Sequence, residues 1–281
     1  MSSLFLPIAK RFIAGERAEE ALQQCKSLNA KGFKVLVNYL GEDTSSGAEV
    51  DANVQEYLRL YDLLEQDRVA GSASVKLTQL GLGISFSEAL NNLERLAAKA
   101  ESLNRYLWLD MEGTRFTEDT IGAYLAVLER HKGVGVALQA YLKRTAADLG
   151  VVLGKGGQVR VCKGAYDEPA SVAFKGRKTT VESYKVLLKR LFEQESHFAV
   201  ATHDAELIEF AAELASDTKK QNFEFQMLKG VGEDMARDLV TNGYAVSIYV
   251  PYGARWAGYA MRRIRERRRN VLLLLRALVG A

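Results

Sequence analysis

Short apolar runs rich in β-branched and aromatic residues recur along the chain at 35–40, 74–77, 106–110, 134–139, 159–162, 197–202, 223–228 and 245–250. Between them lie longer stretches whose apolar positions fall at helical spacing, among them 87–102, 119–132, 180–195, 205–216 and 232–242. Runs of about four to eight residues suit strands, and apolar positions at i, i+3, i+4 and i+7 suit amphipathic helices. Eight strands alternating with helices predict an α/β protein, a TIM-like (β/α)8 barrel in a single domain. The boundaries expected are a helical N-terminal segment over 1–30 and the barrel over 31–281. The competing arrangement, an open doubly wound sheet, predicts a glycine-rich turn after the first strand. Here that strand runs into YLGEDTSSG, which lacks GxGxxG, and the cluster GKGG at 154–157 precedes a strand and reads as a turn.

A barrel of this kind works at the carboxyl ends of its strands, so polar residues there are the candidates. The second strand ends at Lys76 and the third at Asp110-Met111-Glu112. The fourth ends at Gln139, and the fifth carries Arg160 and runs into Lys163-Gly164-Ala165-Tyr166. The sixth ends in Thr202-His203-Asp204, the seventh contains Glu224 and Gln226, and the eighth ends near Tyr249. A single strand-end charge is ordinary; seven polar ends converging on one mouth point to a site. The last helical segment, RWAGYAMRRIRERRRN, adds a pattern. At about 100° per residue, Tyr259, Arg262, Arg263 and Glu266 share one helix face. Paired guanidinium forks suit a carboxylate or a phosphate. Arg265, Arg267, Arg268 and Arg269 read as a solvated basic face.

Composition narrows the chemistry. Of 281 residues, 48% are hydrophobic and 26% charged, which excludes wholesale disorder. Thirty-eight basic against 35 acidic residues give a net charge of +3, too balanced to make nucleic acid or an anionic membrane the main partner. Cys25 and Cys162 form no CxxC pair, so a disulfide scaffold or a cysteine zinc site is not expected and a reducing cytosol fits. His131, His197 and His203 show no metal-ligand spacing. No secretory signal is read at the start, and the closing stretch VLLLLRALVGA is too short to span a bilayer and carries Arg276.

In order along the chain, SVKLTQLGL, WLDMEGT, VALQAYLKRT, VRVCKGAYDEP, ATHD, FEFQMLKGV, IYVPYG and YAMRRIRE resemble the proline dehydrogenases, from about Arg11 to the C-terminus. The pairing of KGAY with a later YxxRRxxE carries most of the specificity, and the resemblance is to the short monofunctional bacterial type. It implies a distorted (β/α)8 barrel that oxidises L-proline to Δ1-pyrroline-5-carboxylate in proline catabolism. FAD would take the hydride at flavin N5, and electrons would pass to a membrane quinone. By the resemblance Arg160 lies near N5, and Asp110 and Met111 line the site beside the ring. Gln139, Lys163, Gly164, Ala165, Thr202 and His203 fall on FAD-binding positions, with Gly164 and Ala165 small where backbone approaches the cofactor. Lys76, Arg262 and Arg263 fall on positions that hold the substrate carboxylate, and Tyr249 and Tyr259 on positions that shape the proline pocket. Glu42 matches an acidic residue that pairs with Arg262 when the site closes. Quinone reduction implies a cytoplasmic enzyme in peripheral contact with the inner face of the membrane; the oligomeric state stays open. Two other classes compete on residues alone: a Schiff-base aldolase using Lys76 or Lys163, and a nucleic-acid binder using the basic run 262–269, against which the charge balance weighs.

Overall fold

The structure is a computed structural model that describes residues 11–41, 44 and 46–260. Glu42, Arg262, Arg263 and Glu266 lie outside the described residues. The strands are β1 (Lys34–Tyr39), β2 (Gly71–Lys76), β3 (Leu107–Asp110), β4 (Val134–Gln139), β5 (Gln158–Cys162), β6 (Phe198–Ala201), β7 (Phe223–Leu228) and β8 (Val246–Tyr252). They form a closed barrel in sequence order. All pairs are parallel, and β1 closes against β8 in the register Lys34↔Ser247 to Tyr39↔Tyr252. The helices are α1 (Ala18–Asn29), α2 (Gly47–Gln66), α3 (Phe86–Ser102), α4 (Thr117–Leu128), α5 (Thr145–Gly154), α6 (Arg177–Phe192), α7 (Ala205–Thr218) and α8 (Glu233–Thr241). The (β/α)8 expectation is met, and 154–157 is the expected turn into a strand.

Alternation along each strand separates two cores. Val35, Val37, Val75, Leu109, Val136, Val159, Val161, Val200 and Phe225 point outward and are buried under the helices, together with Tyr57, Leu93, Tyr124 and Tyr184. The inward set is smaller. Leu36, Trp108 and Ala199 make an apolar plug in the barrel lumen, with Tyr249 packed on it. The indole fits because the facing residue is Gly135: a Cβ there would stand 2.5 Å from the ring. Above this plug the inward residues turn polar, and that layer becomes the site.

Two differences from the expected elements have physical reasons. β2 begins at Gly71, ahead of the expected start at 74, because Gly71, Ser72 and Ala73 lack the bulky residues that mark a strand and draw their order from parallel pairing with β1 and β3. The strand ends at Lys76, as expected, and Leu77, the last residue of the apolar run, opens the 3-10 turn Leu77–Leu80. β8 runs past 250 because its pairing with β1 continues through Asn38↔Pro251 and Tyr39↔Tyr252; Pro251, which has no N–H to give, offers its carbonyl to the Ala14 N–H at 2.8 Å. That bond, with Gly253 N–H to Gly15 O at 3.0 Å, lays residues 14–15 along the end of β8. Helix α1 then packs against β1 and β8, burying Ala18, Ala21, Leu22 and Cys25.

Candidate active site

The polar layer centres on Asp110, the last residue of β3. Its carboxylate receives Lys76 Nζ at 2.8 Å from β2, Ser74 Oγ at 2.6 Å from the same strand, Tyr249 OH at 2.7 Å from β8 and the Arg160 guanidinium from β5. Strand register explains the convergence. Lys76 pairs with Asp110 across β2–β3, and Ser74 lies two residues earlier on the same inward face. The side chains of Lys76, Asp110 and Arg160 are 10%, 12% and 6% exposed, so water screens them little. Burial alone would raise the Asp110 carboxyl; Lys76 and Arg160 outweigh it and hold the group well below the usual carboxylate range. Burial, then the neighbouring Asp110, pushes the Tyr249 phenol well above its usual value, so it stays a donor.

Arg160 is held on several sides. Its guanidinium lies 5.5 Å from the Trp108 ring centre, donates to Gln226 Oε1 at 3.3 Å from β7, and reaches Ser74 Oγ at 3.4 Å. Further round the mouth, Gln139 Nε2 donates to the Glu112 carbonyl at 2.9 Å, and the Glu112 carboxylate is bound by Thr78 through N–H and hydroxyl. Lys163 forms an ion pair with Asp204, which also binds Arg177 at 2.9 Å. Burial works against the Asp204 carboxylate, but Lys163 and Arg177 prevail and lower its pKa. His203 Nε2 accepts the Leu228 N–H at 2.9 Å, which leaves Nδ1 to carry the proton of the neutral ring.

The structure therefore brings Lys76, Asp110, Arg160 and Tyr249 into one network. Gln139, Lys163, Gly164, Thr202 and His203 lie along the ends of β4, β5 and β6. Met111, one residue out of phase with Asp110, packs into the apolar core between strands and helices. Gly164 has a local reason to be glycine: its φ is +112°, and a Cβ would fall 2.1 Å from the Tyr141 ring. Ala165 is exposed. Tyr259 is buried in a separate small cluster with Phe12, Ile13 and Leu40. Sequence reading passed over Ser74 and Trp108. Each stands two positions before a residue it did single out, so period-two alternation was the available signal.

The arrangement excludes some chemistry. Both lysines of the aldolase alternative are bound to carboxylates, Lys76 to Asp110 and Lys163 to Asp204, so neither is presented as the free amine that imine formation needs. Burial pushes the Cys162 thiol up to about 11, which argues against a thiolate nucleophile. No group of three or more His, Cys, Asp or Glu among the described residues is placed to hold a metal ion. A cavity of about 500 Å³ opens to one side, between the segments after β2 and β3, lined by Thr78, Leu82, Ile84, Arg115 and Phe116.

Comparison with known proteins bears on the family and the fold. The proline dehydrogenase family profile matches residues 21–272. Proline dehydrogenase 1 of Bacillus subtilis (strain 168) is 33% identical over 273 residues, covering 96% of this chain and 90% of that protein. The proline dehydrogenase of Deinococcus radiodurans is 31% identical over 279 residues, covering 97% and 90%. Among solved structures, proline utilization A (PutA) from Bdellovibrio bacteriovorus, inactivated by N-propargylglycine, superposes with a TM-score of 0.86 at 22% identity. The match covers 92% of this chain and 32% of that one, and carries the fold alone. With a family profile over most of its length and full-length relatives above 30% identity, this chain belongs to the proline dehydrogenase family.

Proposed function

We propose that this oxidoreductase converts L-proline to Δ1-pyrroline-5-carboxylate with FAD as its redox partner and a quinone as the final acceptor. Family membership supports proline oxidation in proline catabolism. The single observation that carries the finer reading is the buried Asp110–Lys76–Arg160 cluster at the strand ends, on positions that the family resemblance assigns to flavin and substrate.

The donor set suits a flavin. Arg160, Gln139, Lys163, Thr202 and His203 come from three adjacent strands, and their cationic, amide, hydroxyl and imidazole groups match the phosphates and the carbonyl-rich ring edge of FAD. When bound, FAD would supply the two-electron acceptor that no side chain provides. The protein's own contribution is placement and charge. Lys76, held by Asp110 at 2.8 Å, keeps an ammonium directed into the mouth where a substrate carboxylate would dock. Arg262 and Arg263 are proposed to complete that anchor, with Glu42 as the gate partner of Arg262. With FAD bound, Arg160 would offer a permanent positive charge to the negative charge that the flavin gains on reduction. Asp110 is too acidic to take the substrate amine's proton near neutral pH, so its part is to hold the two cations and Tyr249 in position.

Contact with the membrane that carries the quinone is proposed to be peripheral; among the described residues no helix is long and apolar enough to cross a membrane. The test is flavin content. Purified protein should carry FAD, and Arg160→Ala or Lys163→Ala should retain less of it per chain. A folded Arg160→Ala protein with undiminished FAD would refute the assignment of Arg160.

A further inference from the structure

On β7 the inward residues stay polar down to the level of the plug, where Glu224 pairs with Ala199. Gln226 and Glu224, both on β7 and both facing inward, are 4% and 7% exposed. Gln226 Nε2 donates to Glu224 Oε1 at 2.7 Å, while Gln226 Oε1 accepts from Arg160 Nη1 at 3.3 Å. The other oxygen of Glu224 accepts from Ser247 Oγ of β8 at 2.8 Å. The chain Ser247→Glu224←Gln226←Arg160 thus links three strands beneath the site. Glu224 and Ser247 also line a cavity of about 300 Å³ at the opposite end of the barrel, with Ser72, Trp108 and His197.

Donor and acceptor chemistry gives this chain one direction. A guanidinium can only donate, and a carboxylate can only accept. Gln226, wedged between the two, satisfies both only with its oxygen toward Arg160 and its amide nitrogen toward Glu224. Turned over, it would set N–H against N–H on one side and oxygen against oxygen on the other. Glu224 therefore decides which end of the amide Arg160 meets. The Trp108 face, Asp110, Ser74 and the Leu109 carbonyl at 3.5 Å are the other supports of that guanidinium, and none of them comes from β7.

We propose that Glu224 is a positioning residue for the redox step: through Gln226 it orients the Arg160 guanidinium at the mouth, without touching substrate or cofactor. This rests on the reading above that places Arg160 beside the flavin. It extends that reading to residues for which a core-polar role would otherwise suffice.

The test uses the FAD-loaded enzyme and three variants: Glu224→Gln, Gln226→Glu and the exchange of both. Glu224→Gln removes the negative charge and one of the two accepting oxygens, so the new amide holds Gln226 in place only when its oxygen, and not its nitrogen, turns that way. The expected result is kcat lowered roughly tenfold for L-proline, with an altered flavin absorption band. Affinity for tetrahydrofuran-2-carboxylate, proline with oxygen in place of nitrogen, should stay within about twofold because the carboxylate anchor is untouched. Gln226→Glu places two carboxylates side by side and should also lower kcat. The exchange variant restores an unbroken chain, with Gln at 224 donating to Glu at 226, which accepts from Arg160, at unchanged net charge. It should recover most of the lost kcat and the wild-type flavin band. A structural role alone would show as lower stability in urea unfolding, with kcat and the flavin band of the folded single variants unchanged. If both single variants keep wild-type kcat and spectrum, or if the exchange variant is no better than the worse single variant, the positioning role is wrong. If wild-type protein neither carries flavin nor oxidises proline, it is the functional reading that has failed.

Discussion

Asp110→Asn removes one negative charge from a buried cluster that holds two positive ones. The carboxylate accepts from Ser74, Lys76, Arg160 and Tyr249. An asparagine keeps one acceptor oxygen and turns an NH2 group toward donors. Lys76 and Arg160, 10% and 6% exposed, are then left facing one another without an anion. A surface pair would lose at most about 1 kcal/mol, but removing one partner from a buried pair costs about 3–5 kcal/mol. For a domain of this size that corresponds to a fall in Tm of about 6–20 °C. The pH dependence follows from the lowered carboxyl. Its stabilisation is complete above the unfolded value of about 3.9 and is lost as pH falls through the folded one. The gap between wild type and Asp110→Asn should therefore be constant from about pH 5 to 8 and narrow below about pH 4. Urea unfolding of both proteins across that range is the assay. A difference under about 1 kcal/mol at pH 7, or one that grows on acidification, would refute the reasoning that Asp110 is the ionised hub of the cluster.

Other substitutions probe separate parts of the account. Gly164→Ala puts a Cβ at φ +112° and 2.1 Å from the Tyr141 ring, and should cost at least about 1–2 kcal/mol in urea unfolding; a neutral effect would mean the loop after β5 adapts freely. Tyr259→Ser, which opens the proposed proline pocket, should raise kcat/KM for hydroxyproline relative to proline, and an unchanged ratio would remove Tyr259 from substrate selection. Arg263→Met should raise KM for proline, lowering kcat/KM roughly ten- to hundredfold, as expected for one charge-assisted contact to a carboxylate; equal affinity of both proteins for carboxylate-bearing analogues would mean no clamp exists there.

Alternation made much of the barrel legible. Strands rich in Val, Leu and Phe, such as β4 and β7, announced themselves because outward residues must be buried under helices. β2 was clear only at Val75 and Lys76, since Gly71, Ser72 and Ala73 are ordered by neighbours that a local pattern does not contain. Lys76, Asp110, Arg160 and Tyr249 stood out as polar residues at strand ends, yet their shared hydrogen bonds depend on inter-strand register. Register also brings Ser74, two residues below Lys76, to the same carboxylate. At Gly164 the structure adds local causes that the sequence does not display, a positive φ and the Tyr141 ring. Met111 follows Asp110, the last residue of β3, and packs into the apolar core, because one step along the chain turns a side chain to the other face.

The central claim is that the Arg160–Asp110–Lys76 mouth holds a flavin where L-proline can reduce it. An anaerobic absorbance titration of the purified protein tests it most directly. The account predicts the two visible flavin bands at the outset and their bleaching as L-proline is added, with pyrrolidine, which lacks the carboxylate, far less effective. A colourless preparation that still oxidises proline, or a flavin spectrum that L-proline leaves unchanged, would contradict it.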